Sequence, residues 1–197
     1  QTYIFDNDSE GRKIADALAR AKERGVEIRV LIDSIGSKYS RPPIIHLLRK
    51  KGIQTALFMT NPLGLRMPYA NLRSHRKILV VDGRVGFTGG MNIREAFVTA
   101  VAGDKTAGDT HFRVEGPIVM QLISVFAQDW EFTTKEALPY DIWCDETSNP
   151  PEPRVPARCI WSGPDRSIVS THNMLLGAFA VAQRHIRIQS PYFLPDT

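Results

Sequence analysis

A histidine and a lysine stand two positions apart at the head of a short, strand-like segment. The segment runs from His75 through Lys77 to Asp82, two glycines ending at Gly90 follow after six residues, and Asn92 stands two positions further on. Side chains at positions i and i+2 of a strand project from the same face, so the imidazole and the ammonium group would lie side by side. This pair is suited to attack and hold a phosphodiester, and the full spacing HxKxxxxD followed by GGxN makes coincidence improbable.

Each residue of the motif has a chemical task in such a site. His75 as a neutral imidazole can attack phosphorus and form a phosphohistidine, while Lys77 holds the non-bridging oxygens and stabilises charge in the transition state. The backbone at Gly90 would approach the phosphate closely, and the Asn92 amide would donate to the same oxygens. Asp82 completes the predicted catalytic set, although an Asp before Gly favours a role in orientation or in the turn over proton transfer. No metal or other cofactor is required.

The surrounding pattern predicts an α/β fold that positions this motif. Segments with helical spacing alternate with segments of β-type alternation, an order that indicates an α/β sheet. Asp82-Gly83 predicts a hairpin directly after Lys77. The predicted helices cover residues 11–24, 42–51, 117–130 and 168–183, and the predicted strands cover 26–32, 53–59, 77–81, 85–88, 111–115 and 186–193.

Composition limits the class of protein. The 197 residues are 43% hydrophobic and 9% aromatic, which supports a folded core and excludes a disordered chain. A formal charge of +4 and a pI of about 9.2 favour an anionic partner without choosing between phospholipid and nucleic acid. Cys144 and Cys159 lack zinc-type spacing, and no apolar run approaches the length of a membrane span. The start at Gln1, in a strand-like stretch, predicts an excised piece of a longer chain.

Four further sequence segments accompany the motif: GGMN, DTHFRVEGP, SGPD and QSPYFLPD. Together they resemble the bacterial cardiolipin synthase type of the phospholipase D superfamily, over nearly the whole chain. The resemblance implies an α/β sandwich with a mixed β-sheet flanked by helices, and a phosphodiester exchange at a pseudo-symmetric interface of two HKD motifs. It further implies that His75 is the nucleophile, that Lys77 and Asn92 bind phosphate, and that Asp109 orients the nucleophilic histidine.

The sequence departs from this family in carrying one HKD motif instead of two. We expect a first phospholipase D-like half over residues 1–148, a proline-rich linker over 149–157, and the truncated beginning of a second half over 158–197. A weak likeness between residues 1–8 and 189–196 fits such a duplication. In the family, the histidine of one motif is the nucleophile and that of the other is the general acid. The general acid would therefore come from the second HKD half of the parent chain or from a homodimer mate.

The expected function is phosphatidyl transfer between phospholipids, making cardiolipin from phosphatidylglycerol through a phosphohistidine. Two alternatives stay open: a phosphodiesterase or nuclease that acts as a homodimer, and a catalytically silent lipid-binding fragment. Anionic phospholipid is favoured over nucleic acid as the partner, with peripheral contact to the bacterial inner membrane on its cytoplasmic or periplasmic face. The loop over 61–73 mixes leucines with arginines and is the candidate for membrane contact, with packing onto the core as an equal alternative.

Overall fold

The computed structural model describes residues 1–60, 73–144, 155–163 and 169–188. Contacts divide the chain into two units, Gln1–Cys159 and Ile160–Thr197. The first unit carries the motif. The break between the units lies near the end of the predicted linker, and the division into two phospholipase D-like halves stays a prediction. All but the last residue of the loop predicted for membrane contact lies outside the described residues.

Helices and strands alternate through the first unit. The strands are β1 (Arg29–Asp33), β2 (Gln54–Phe58), β3 (Ile78–Val81), β4 (Val85–Gly89) and β5 (His111–Glu115). The helices are α1 (Ser9–Glu23), α2 (Ile44–Lys50), α3 (Thr99–Ala102), α4 (Ile118–Thr134) and α5 (Tyr140–Trp143), with α6 (Ser170–Val181) in the second unit. Short 3-10 turns cover Gly36–Lys38, Glu95–Phe97 and Gly103–Lys105. The helices and strands predicted for the first unit are confirmed, with their ends shifted by a few residues.

The first helix begins earlier than its apolar spacing predicts, because Asp8 caps it. The Asp8 side chain accepts a hydrogen bond from the backbone N–H of Gly11 at 2.8 Å, which satisfies one of the free donors at a helix start. Gly25 follows the helix with a φ of 89°, and its N–H donates to the carbonyl of Lys22 at 2.8 Å. This left-handed residue ends α1 as the sequence predicts.

The first two residues of the chain join two small sheets into one. β1 and β2 pair in parallel, whereas β3, β4 and β5 form an antiparallel meander. Thr2 donates its N–H to the carbonyl of Leu31 at 3.0 Å and accepts the N–H of Asp33 at 3.2 Å. On the other side, the Ile78 N–H donates to the carbonyl of Gln1 at 3.0 Å. A mixed sheet therefore runs from β2 through β1 and the N-terminal residues to β5, and the predicted α/β fold is confirmed.

Helices cover this sheet at two hydrophobic cores. One core gathers buried residues of α1, α2, β1 and the segments beside them: Phe5, Ala15, Val30, Ile32, Ile44, Leu48 and Ile53. The other joins Ile78 of β3 to Leu122 and Val125 of α4. At Gly86 the helix comes so close that an added Cβ would lie 2.8 Å from Leu122 Cδ1. Because α4 occupies the face of Ile78, Lys77 belongs to the opposite face, which we call the site face.

The second unit contains α6 and the segments beside it. The predicted helix over 168–183 is confirmed as Ser170–Val181. Residues 186–188, the beginning of the strand predicted over 186–193, are not part of a strand, and the remainder of that prediction lies outside the described residues. Within the part of the chain that the structure describes, no helix has the length and apolar character needed to cross a bilayer.

Candidate active site

Lys77 lies directly before β3, with its ammonium group largely withdrawn from solvent. The residue is 8% exposed, and Nζ donates a hydrogen bond to the carbonyl oxygen of His75 at 2.6 Å. Nζ also lies 5.7 Å from the centroid of the Tyr3 ring, where the π face attracts a cation. Burial lowers the pKa of Lys77, and the negative charge of Asp109 counteracts that shift. A cation that has lost much of its hydration favours an anionic ligand beside it.

The imidazole of His75 packs against the ring of Tyr3. The two ring centroids are 4.1 Å apart and the planes meet at 29°. Partial burial lowers the pKa of His75, the cation of Lys77 lowers it further, and the negative charge of Asp33 opposes both effects. The neutral imidazole is therefore favoured at neutral pH, and only this form has a lone pair with which to attack phosphorus.

A buried carboxylate at the end of β1 holds the segment that carries His75. Asp33 is 0% exposed, and its Oδ1 accepts hydrogen bonds from the N–H groups of Ile35 at 2.8 Å and Gly36 at 3.3 Å. Its Oδ2 accepts the N–H of Ser74 at 3.0 Å. Asp33 thus fixes the backbone immediately before His75 and places a negative charge near the imidazole. The only sequence signal for this residue is a carboxylate at the end of a buried strand, which by itself does not indicate a partner.

Asp109 and Gly90 form the next part of the site. An added Cβ at Gly90 would lie 2.3 Å and 2.4 Å from the two carboxylate oxygens of Asp109, so the glycine leaves the space that this carboxylate occupies. The charge of Asp109 acts on Lys77 and on His111, raising the pKa of each against the effect of burial. The charges that act on His75 are those of the lysine and of the buried carboxylate described above. The role predicted for Asp109, orienting His75, stays a prediction.

Asn92 links the loop after β4 to the N-terminal segment. Its Oδ1 accepts the backbone N–H of Ile4 at 3.0 Å, and the next residue, Ile93, donates its N–H to the carbonyl of Ile4 at 3.1 Å. The oxygen end of the amide is therefore engaged in holding the fold. The nitrogen end is the part of the side chain that carries donors for a phosphate oxygen.

Asp82 lies away from the other motif residues. It is exposed in the hairpin turn, with a φ of 53° followed by 67° at Gly83, and the N–H of Arg84 donates to the carbonyl of Val81 at 3.1 Å. A strand rises about 3.3 Å per residue, so the turn lies roughly 15 Å along the hairpin from Lys77. The structure does not bring Asp82 to His75 and Lys77, because the intervening strand separates the two ends of the motif.

The described residues enclose a cavity of about 480 Å³ that none of the motif residues lines. Its lining includes Tyr39, Asp6 and Arg94, and the Tyr39 ring meets the ring of Tyr3 edge-on at 6.4 Å. Tyr3 therefore contacts both Tyr39, which lines the cavity, and His75. Among the described residues, no group of three or more His, Cys, Asp or Glu side chains is arranged to hold a metal ion.

An exposed imidazole stacked on Tyr3 and a buried ammonium group lie directly before one strand of an α/β sheet, and this pair is suited to phosphodiester chemistry. The family model described as "Cardiolipin synthase, PLD-like domain" matches residues 1–130, and the chain belongs to that family. This confirms the resemblance found in the sequence.

Whole proteins similar to the chain agree with the family match. The major cardiolipin synthase ClsA of Bacillus subtilis (strain 168) is 32% identical over 100% of the chain and 41% of its own length. The cardiolipin synthase of Staphylococcus aureus (strain Mu50) is 34% identical over 100% of the chain and 40% of its own length. Cardiolipin synthase 1 of Bacillus anthracis is 31% identical with the same coverage. The chain spans about two fifths of the length of these relatives.

Proposed function

We propose that the chain carries one HKD half of an enzyme that transfers phosphatidyl groups between phospholipids, making cardiolipin from phosphatidylglycerol. The observation that supports this proposal most directly is the pair of His75, favoured in its neutral form, and the buried cation of Lys77 beside it. The names of the similar proteins agree with it. Anionic phospholipid is the corresponding partner, reached by peripheral contact with the inner membrane of a bacterium.

The proposed reaction proceeds by two displacements at phosphorus. A ring nitrogen of His75 attacks the phosphorus of phosphatidylglycerol, the bond from phosphorus to the glycerol oxygen breaks, and glycerol leaves with a proton from a general acid. The hydroxyl of a second phosphatidylglycerol then attacks the phosphatidyl-histidine and gives its proton to the same group, now a base. The phosphorus–nitrogen bond breaks and cardiolipin is released. Lys77 balances the charge on the non-bridging oxygens in both transition states.

The general acid is the component that this half does not provide in the proposal. It would come from a second HKD motif, either in the second half of a longer chain or in a homodimer mate. Asn92 would donate its amide N–H to the same phosphate, and Asp109 would orient His75 once substrate is bound.

Product analysis with lipid vesicles tests this function. The 197-residue chain and a longer protein that carries it are incubated with phosphatidylglycerol vesicles and, separately, with plasmid DNA. We expect cardiolipin and free glycerol from the longer protein, no product from its His75→Ala variant, and unchanged product from His46→Ala, because His46 is exposed on α2. Cleavage of DNA without lipid exchange would replace the proposal with the nuclease alternative. Lipid binding without turnover by any form would favour the silent fragment.

A further inference from the structure

His111 and Lys77 lie in one row of residues that runs across neighbouring strands of the sheet. His111 is the first residue of β5 and pairs with Gly89 of β4. β3 and β4 pair with Ile78 opposite Thr88, and continuing that register by one residue puts Lys77 opposite Gly89. Residues that share a row across neighbouring strands project from the same face of the sheet. Lys77 and His111 therefore flank Gly89 on the site face.

The glycine in the middle of the row gives the imidazole its space. An added Cβ at Gly89 would lie 2.3 Å from the carbonyl oxygen of Thr110 and 2.7 Å from both Cα and Nδ1 of His111, closer than real Cβ atoms approach. Glycine therefore leaves the space beside β4 that both the backbone of β5 and the ring of His111 occupy. Strands are spaced about 4.8 Å apart, so the two outer residues of the row are roughly 10 Å apart between Cα atoms, a span that both side chains can close around one phosphate group.

The two nitrogens of His111 have different surroundings. Nδ1 is buried and has no hydrogen-bond partner among the residues that the structure describes. Burial and the positive charge of Lys77 lower the pKa of His111, whereas the negative charge of Asp109 raises it. The pKa is lowered overall, so the neutral ring is favoured. A buried N–H with no acceptor is costly, which favours the tautomer that carries its proton on Nε2. His111 then offers a neutral N–H donor beside the cation of Lys77.

We propose that His111 is a phosphate-binding residue of this site, donating its Nε2–H to a non-bridging oxygen of the phosphate that Lys77 holds. The inference rests on the proposed function, because it deepens the description of the same phosphate site. It adds a donor outside the HKD motif, on a strand that the motif does not include. A structural histidine in this row would have a partner for its buried nitrogen, and His111 has none within the described ranges.

Two substitutions of similar polarity distinguish the nitrogens. The side-chain NH2 of Gln reaches the position of Nε2, whereas that of Asn reaches the position of Nδ1. With inorganic phosphate as the probe and NMR titration as the measurement, we expect His111→Gln to bind within about threefold of wild type. We expect His111→Asn to bind about ten- to a hundredfold more weakly, the loss typical of one hydrogen bond to a charged group. Circular dichroism and urea unfolding establish that both variants are folded.

Long-range 1H–15N spectra of the wild-type histidines supply a second measurement that does not depend on substitution. We expect the Nε2–H tautomer for His111 and a shift of that signal on adding phosphate. An Nδ1–H tautomer, or equal affinity in the Gln and Asn variants, would overturn the inference.

Lys77→Met separates the inference from the function on which it rests. If this substitution abolishes phosphate binding while His111→Asn leaves it unchanged, the phosphate site stands and the role of His111 is refuted. If phosphate binds equally well without the lysine, the proposed phosphate site and the inference both fall.

Discussion

Replacing Asp33 with Asn tests whether a buried carboxylate holds the catalytic segment in place. Asp33 is fully buried, and its two oxygens accept three backbone N–H groups, of which Ser74 contributes the bond at 3.0 Å. Asn keeps one acceptor oxygen, which can still serve Ile35 and Gly36. Its NH2 group would face the N–H of Ser74, and two donors cannot form a hydrogen bond. The hydrogen bond that joins β1 to the residue before His75 is therefore lost.

The size of this effect follows from the contacts. A hydrogen bond to a charged group contributes about 1.5–3 kcal/mol, and a buried donor left without an acceptor costs about 1–3 kcal/mol. The lost hydrogen bond and the unpaired donor are partly the same effect, so we expect the free energy of unfolding to fall by about 2–4 kcal/mol. Small domains have about 5–15 kcal/mol of stability, so the variant should fold but unfold at clearly lower urea.

Equilibrium urea unfolding measures this loss, and Asp104→Asn is the matched control. Asp104 is exposed in the turn Gly103–Lys105, so its substitution should leave the urea midpoint unchanged. A second measurement is the NMR titration of His75. The negative charge of Asp33 raises the pKa of His75, so Asp33→Asn should lower it. Equal urea midpoints for the two Asn variants, or an unchanged pKa of His75, would show that Asp33 does not have this role.

Two further substitutions probe the same site. The cation of Lys77 lowers the pKa of His75, so Lys77→Met should raise that pKa in an NMR titration, and a fall would contradict the assigned cause. Gly90→Ala should displace Asp109, because its Cβ would lie 2.3 Å and 2.4 Å from the carboxylate oxygens. We expect at least about tenfold weaker phosphate binding, which is about 1.4 kcal/mol. Gly108→Ala is the control, since nothing lies within 4 Å of its added Cβ, and equal affinities would show that the contact is unimportant.

Local pattern was sufficient to predict the hairpin and the motif on it. Asp82-Gly83 adopts the two left-handed conformations of a tight turn, and the apolar runs on either side pair as β3 and β4. The placement of His75 and Lys77 beside each other follows from the two-residue period of extended chain. These features depend on residues close in sequence, which is why the sequence alone predicts them.

Features that depend on which strands become neighbours were not predictable. Tyr3 contacts His75, and Asp33 contacts Ser74, only because residues 1–2 pair between β1 and β3. His111 begins a strand that the sequence predicts, and its row with Lys77 emerges only from the strand register. The second contact of Asn92 was likewise not predictable. Its spacing in the motif predicts a phosphate ligand, and the structure shows that its oxygen also accepts a hydrogen bond from the N-terminal segment.

The proposed mechanism requires a covalent bond between His75 and phosphorus. Its most direct test is mass spectrometry of peptides from a longer protein that carries this chain, quenched during turnover of phosphatidylglycerol at a pH that preserves phosphoramidates. We predict a phosphatidyl adduct on His75 that disappears when excess lipid acceptor is added before quenching. Steady lipid exchange with the adduct on another residue, or lipid exchange that continues in the His75→Ala variant, would exclude His75 as the nucleophile.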